Sequence, residues 1–165
     1  MPQFNGTTFF DPRPITATLE LDARLTGLGG RLDNQVYTLP LAPAHQLMDI
    51  AYQEMVNILV AIRLWGSGWC NWKIVIKCDN QAVVSILRLG KTRDSTLACI
   101  GRNILLEAAR LHITLSVIHV LGKNNAVTLS RWQNSENDWR IIRNNIRHPQ
   151  WMHADTSLLT LDLSI

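Results

Sequence analysis

Residues 15–23, Ile-Thr-Ala-Thr-Leu-Glu-Leu-Asp-Ala, alternate apolar and polar positions and are partly β-branched, which predicts a strand. Gly27, Gly29 and Gly30 begin a hairpin, Asp33-Asn34 signals a turn, and Val36 to Leu39 forms a third short strand closed by Pro40. The pattern then changes period. Val56, Leu59, Val60 and Leu64 follow helical spacing within residues 49–65, and Gly66 stops the run. Lys73 to Cys78 is a short strand of the buried type, and Asp79-Asn80 opens a helix that runs to about Leu89 and ends at Gly90. Asp94 or Ser95 caps a further helix with Leu97, Ile100, Ile104, Leu105, Ala108 and Leu111 on one face. Thr114 to Val120 is a fifth strand, Gly122 to Asn125 a loop, and Leu129 to Trp132 a short helix. The order β-β-β-α-β-α-α-β-α predicts an α/β fold with a five-stranded mixed sheet. In it a three-strand antiparallel meander is extended by two strands joined through helices, with helices flanking the sheet.

Three segments follow from this pattern: a leader at 1–14, one domain at 15–135, and a less regular extension at 136–165. At 165 residues with 47% hydrophobic and 18% charged positions, the chain has enough apolar material for a core, which excludes wholesale disorder. Its longest apolar stretch, Met55 to Leu64, is broken by Asn57 and Arg63 and is too short to span a bilayer. The N-terminus has no basic region followed by an apolar run, so no signal peptide is expected, and the chain reads as intracellular, nuclear or cytoplasmic. Charge is uneven. Residues 1–62 carry three Lys/Arg against six Asp/Glu, whereas residues 63–147 carry thirteen against five. A basic second half suits a polyanion partner, although a solvated basic surface would look the same. Cys70, Cys78 and Cys99 form no CxxC or CxxH pair, so a zinc site is not expected and reduced, mostly buried thiols are.

Three carboxylates occupy chemically suggestive places. Asp22 lies near the end of the first strand, Glu54 in the first turns of the first long helix, and Asp79 at the end of a buried strand before a helix. Ligands of open α/β sheets gather at such strand ends. Converging carboxylates repel unless a cation lies between them, and oxygen ligands suit Mg²⁺ or Mn²⁺. Each has a plainer role open to it: Asp79 as a helix cap, Glu54 as a solvated helix residue, Asp22 as a strand-end turn residue.

The local strings carry a resemblance. Leu21-Asp22-Ala23-Arg24-Leu25-Thr26-Gly27-Leu28-Gly29 looks like the first strand and turn of a ribonuclease H domain, and Glu54 to Ala61 like its glutamate-bearing helix. Lys77-Cys78-Asp79-Asn80-Gln81-Ala82-Val83-Val84 resembles its strand-to-helix junction. His119 to Asn125 and Leu129-Ser130-Arg131-Trp132 resemble the loop and last helix of the retrotransposon versions. Thr92-Arg93-Asp94 and Gly101-Arg102-Asn103-Ile104 look like the DIRS-type retroelements, which use a tyrosine recombinase. The resemblance covers roughly residues 17–135, and five motifs fall in the correct order. It implies hydrolysis of the RNA strand of an RNA–DNA hybrid with two Mg²⁺ or Mn²⁺ ions, a parent polyprotein containing a reverse transcriptase, and a monomeric domain with no membrane role. Asp22 would bridge both ions, with Glu54 on one and Asp79 on the other.

One departure stands out. The retroelement pattern G-K-x-N-x-x-A-D-x-L-S-R supplies a fourth metal-binding Asp. Here Gly122 to Thr128 runs straight into Leu129-Ser130-Arg131, two residues short, and no Asp or Glu occurs between Glu107 and Glu136. Two residues turn a helix by about 200°, so the last helix would have to be rephased. Asn125 or Asn124 could offer a neutral oxygen, with Asp138 a remote candidate, and the second ion should be weakened. The resemblance also implies hybrid binding through Arg88, Lys91, Arg93 and Arg102 as a basic handle, Asn80 and Gln81 at sugar hydroxyls, and Lys123 at a phosphate. His119 could assist product release or simply pack at a strand end. Trp65, Trp69 and Trp72 could stack on a base or cap the core edge. Two rival functions remain open: a nucleic-acid-binding module without turnover, and a protein-interaction remnant using the tail after Trp132.

Overall fold

The computed structural model describes residues 14–121 and 150–161. The meander is β1 (Ala17–Arg24), β2 (Gly27–Leu32) and β3 (Gln35–Pro40), antiparallel throughout, with Leu21 opposite Gly30 and Gly30 opposite Tyr37. Asp33 takes the tight turn between β2 and β3 with φ 53°, a left-handed conformation that short polar side chains tolerate. β4 (Lys73–Cys78) lies parallel to β1, and β5 (Thr114–His119) parallel to β4. The mixed α/β architecture expected from the hydrophobic pattern is therefore present.

Six strands, rather than five, make up the described sheet, in the order β5-β4-β1-β2-β3-β6. β6 (Gln150–Trp151) comes from the segment after the expected domain and lies parallel to β3. Its backbone bonds are Gln150 N–H to the Asn34 carbonyl (2.7 Å) and Met152 N–H to the Val36 carbonyl (2.8 Å). Two residues are too few to show a periodicity, so the pattern carried no sign of this strand. Beyond it a 3-10 turn at Thr156–Leu159 buries Leu159, and Arg63 Nη1 donates to the carbonyls of Leu158 (2.9 Å) and Thr160.

A short helix that the pattern did not suggest, α1 (Pro43–Gln46), leads into α2 (Ile50–Trp65), which Asp49 caps by accepting from Tyr52 N–H at 2.8 Å. Every residue from Gln53 to Ile62 is buried. A helix apolar nearly all round must be covered on all sides. The sheet covers one side of α2, α4 (Ser95–Arg110) another, and the 3-10 turn a third. α3 (Gln81–Leu89) is capped by Asn80 and ends at Gly90, whose φ of 68° suits a residue without a side chain. Asp94 caps α4, one of the two residues expected to do so.

Leu97, Ile100, Ile104 and Ala108 form the buried stripe of α4. Leu105, expected on the same face, is 47% exposed. It lies a third of a turn off the stripe and lines a groove against Ile86 and Leu87 of α3. The thiols divide: Cys78 is buried, Cys99 half-buried and Cys70 exposed, so burial is less general than expected. Trp65 and Trp69 are buried at the core edge and Trp72 packs against it, the capping role. Trp65 meets Tyr37 edge-on with ring centres 5.2 Å apart. No helix among the described residues is long and apolar enough to cross a membrane.

Candidate active site

β1 and β4 run parallel and adjacent, so their C-terminal ends lie side by side. Asp22 is near the end of β1, and Asp79 directly follows β4. α2 packs against β1, and its Glu54 reaches both strands, meeting the Ala23 N–H of β1 and the Cys78 thiol of β4. Glu54 is only 3% exposed, which removes the solvated-helix role. Its Oε1 accepts the Ala23 N–H at 3.2 Å. Asp79 is not the cap of α3: Asn80 Oδ1 accepts from the N–H groups of Ala82 (3.0 Å) and Val83 (3.2 Å), leaving the Asp79 carboxylate outside that task.

Burial pushes the Glu54 carboxyl up to about 8, and the charges of Asp79 and then Asp22 push the same way, against the Ala23 amide. The three carboxylates singled out in the sequence therefore interact electrostatically in the fold. Their closeness differs. Donor atoms of Glu54, Asp79 and Cys78 all lie within 4.8 Å of one another, a group that does not include Asp22. Burial, followed by the Glu54 charge, pushes the Cys78 thiol up to about 12.

Two residues that sequence reasoning passed over hold this arrangement. Asn57, completely buried one turn after Glu54, donates from Nδ2 to the carbonyls of Asp22 (3.0 Å) and Gly29 (2.9 Å), on adjacent strands. Its Oδ1 accepts the hydroxyl of buried Tyr37 at 2.6 Å. The signal was an Asn inside an apolar helix run, which must find partners when buried. Cys78, the second residue, reads in the sequence as a buried thiol within the strand-to-helix junction, with no part in the site; its Sγ lies 4.0 Å from Glu54 Oε2.

His119 is exposed at the end of β5, and its Nε2 lies 3.2 Å from the Asp79 carbonyl oxygen. β5 places it there by pairing His119 with Cys78. Gln81, Arg88, Lys91, Arg93 and Arg102 are exposed and Asn80 is half-buried. Lys91 and Arg102 flank the groove of about 260 Å³ between α3 and α4, whose floor includes Ile86 and Leu87. Lys123, Asn124, Asn125, Asp138 and the helix expected at Leu129 to Trp132 lie outside the described residues.

The donor set fits a hard divalent cation. Glu54 and Asp79 offer anionic oxygens at close quarters, Asp22 adds negative potential, and a cation would relieve the strain on a buried carboxylate. No family model matches the sequence, and no curated protein matches it. One solved structure with a similar trace is RNase H1 from the halophilic archaeon Halobacterium salinarum NRC-1, with TM-score 0.49 and 16% identity over 66% of this chain and 86% of that one. A likeness of that size adds nothing to the chemistry of the site, which stands on the residues described above.

Proposed function

We propose that this chain is an RNA–DNA hybrid endoribonuclease domain of retroelement descent, of the DIRS type, working inside the cell beside a reverse transcriptase. The observation that carries the proposal is Glu54. A carboxyl buried to 3% exposure and pushed up to about 8 by burial, Asp79 and Asp22 calls for a cation. Its position at the ends of two parallel strands and the five ordered motifs supply the rest.

Under this proposal Glu54, Asp79 and Asp22 would hold Mg²⁺ or Mn²⁺, which when bound activates water and stabilises the leaving oxygen of a phosphodiester. The Ala23 amide fixes the Glu54 carboxylate, while Asn57 ties the Asp22 backbone to Gly29 and so sets the end of β1. Asn80 caps α3 and keeps its N–H groups from competing for Asp79. Asn80 has its side-chain oxygen committed there, so only its amide group is available for a sugar hydroxyl; Gln81 is exposed beside it.

Arg88, Lys91, Arg93 and Arg102 cluster toward the far end of α3 and beside it. The nine residues of α3 span about 14 Å, or about four base steps at 3.4 Å. Those cations would therefore hold the backbone of a hybrid whose scissile phosphate lies at the carboxylates. His119, exposed next to Asp79, would assist product release.

The test is cleavage of an end-labelled RNA–DNA hybrid in Mg²⁺ and in Mn²⁺, beside Asp79→Asn. Cleavage by the native chain and none by the variant is the expected result. A second reading, a hybrid-binding module without turnover, is favoured by one feature: no carboxylate lies between Glu107 and Glu136, where the retroelement pattern has its fourth ligand. Tight hybrid binding that weakens steeply with salt, with no cleavage in either metal, would select that reading.

A further inference from the structure

Cys78 sits in the wrong place for a purely oxygen-lined metal site. It is 1% exposed, and its Sγ lies 4.0 Å from Glu54 Oε2 and 3.8 Å from the Asn80 carbonyl oxygen. Within the described residues, Glu54, Cys78 and Asp79 form a group whose donor atoms are mutually within 4.8 Å. Tetrahedral zinc, with bonds of about 2.3 Å to sulfur and about 2.1 Å to oxygen, spaces its donors about 3.6 Å apart. Closing Cys78 Sγ and Glu54 Oε2 to that spacing needs only a few tenths of an ångström.

Sulfur does not attract Mg²⁺ or Mn²⁺, but it is a preferred donor for zinc and its chemical neighbours. We infer that Cys78, Glu54 and Asp79 together form a one-sulfur, two-oxygen site that takes a borderline divalent ion of the zinc class, in competition with hard ions at the same carboxylates. A zinc-class ion is four-coordinate, and a water completes the set. On binding, the thiol loses its proton to solvent, and the thiolate and two carboxylates share the ion. The site then has a second occupant that blocks the first, so zinc acts as an inhibitor of whatever the hard ions support. The inference shares its carboxylates with the nuclease reading but does not depend on catalysis.

The experiment is titration of the full chain with Co²⁺, a spectroscopic stand-in for zinc, followed by back-titration with Zn²⁺. The native chain should develop a thiolate-to-cobalt charge-transfer band in the near ultraviolet, which Zn²⁺ removes. Cys78→Ser should lose the band and bind Zn²⁺ more weakly by about tenfold to a hundredfold or more, since even loss of a supporting group costs that much. Cys70→Ser with Cys99→Ser, which leaves Cys78 as the one remaining thiol, should retain the band. A band absent from the native chain, unchanged in Cys78→Ser, or lost in the Cys70/Cys99 variant would overturn the inference. Hybrid cleavage in Mg²⁺ without a thiolate band leaves the nuclease reading standing and removes this one. A band without cleavage does the reverse.

Discussion

Replacing Glu54 by Gln should make the protein more stable at alkaline pH, although it removes a group at the centre of the candidate site. In the folded chain the Glu54 carboxyl lies at about 8 against an ordinary value of 4.5, with burial first among the causes. The folded state therefore holds its proton more tightly than the unfolded state does. Below the ordinary value both states are protonated and Glu54 costs nothing. As pH rises from 4.5 to about 8 the unfolded chain ionises first, and stability falls. At about 1.36 kcal/mol for each tenfold change in proton affinity, the full loss is about 5 kcal/mol. A domain of this size commonly has a total stability of about 5–15 kcal/mol, so such a loss would be plain in any unfolding curve. Gln keeps the side-chain oxygen that accepts the Ala23 N–H and carries no charge. The assay is urea unfolding followed by far-ultraviolet circular dichroism, in chelator, at about pH 5 and about pH 9, for both proteins. The difference between them should grow with pH toward the full value, and Mg²⁺ at the higher pH should restore the native chain but not the variant, because a ligand that binds only the folded state stabilises it. A difference that stays within about 1 kcal/mol across that range would show that Glu54 is not a dry carboxylate among like charges.

Asn57→Leu should cost about 3 kcal/mol or more in thermal or urea unfolding, because the Tyr37 hydroxyl and the Asp22 and Gly29 carbonyls each lose a buried partner; a variant as stable as the native chain would mean that water fills the gap. Gly30→Ala should destabilise by about 1–3 kcal/mol, since its Cβ would overlap the Tyr37 ring and lie 2.9 Å from Leu21 Cδ2, both in a packed core; calorimetry checks this, and an unchanged melting temperature refutes it. Arg63→Ala should release the 3-10 turn at Thr156–Leu159, whose carbonyls at Leu158 and Thr160 it holds. Limited proteolysis should then cut within residues 152–161 sooner than in the native chain, and equal rates would refute the role.

Much of this protein could be read along the chain. β4 spans Lys73–Cys78 as its pattern predicts, α2 ends at Trp65 just before the Gly66 that stops its spacing, and α3 ends at a glycine in the left-handed region. These are local matters. Period, capping and backbone preference act over a few residues, and the sequence displays them directly. The candidate carboxylates were legible for a related reason: an acidic residue at a strand end, or inside an apolar helix run, is conspicuous against its immediate neighbours.

What the chain could not display was which groups meet. β6 is two residues long and joins the edge strand β3 through backbone bonds, which leave no side-chain pattern. Leu105 is as apolar as its buried neighbours, yet it stands a third of a turn off the stripe that faces the core and lines the groove against α3. The three carboxylates are 32 and 25 residues apart in sequence, and only the parallel pairing of β1 with β4, with α2 packed against β1, brings Glu54 within reach of the charges of Asp22 and Asp79. The same packing decided that Asn57 would bridge two strands and that Cys78 would face Glu54. Sequence set the elements and the inventory of acids by local propensity and solvation. Long-range packing, which answers to the shape of the whole core, set the distances between them, and the chemistry of the site depends on those distances.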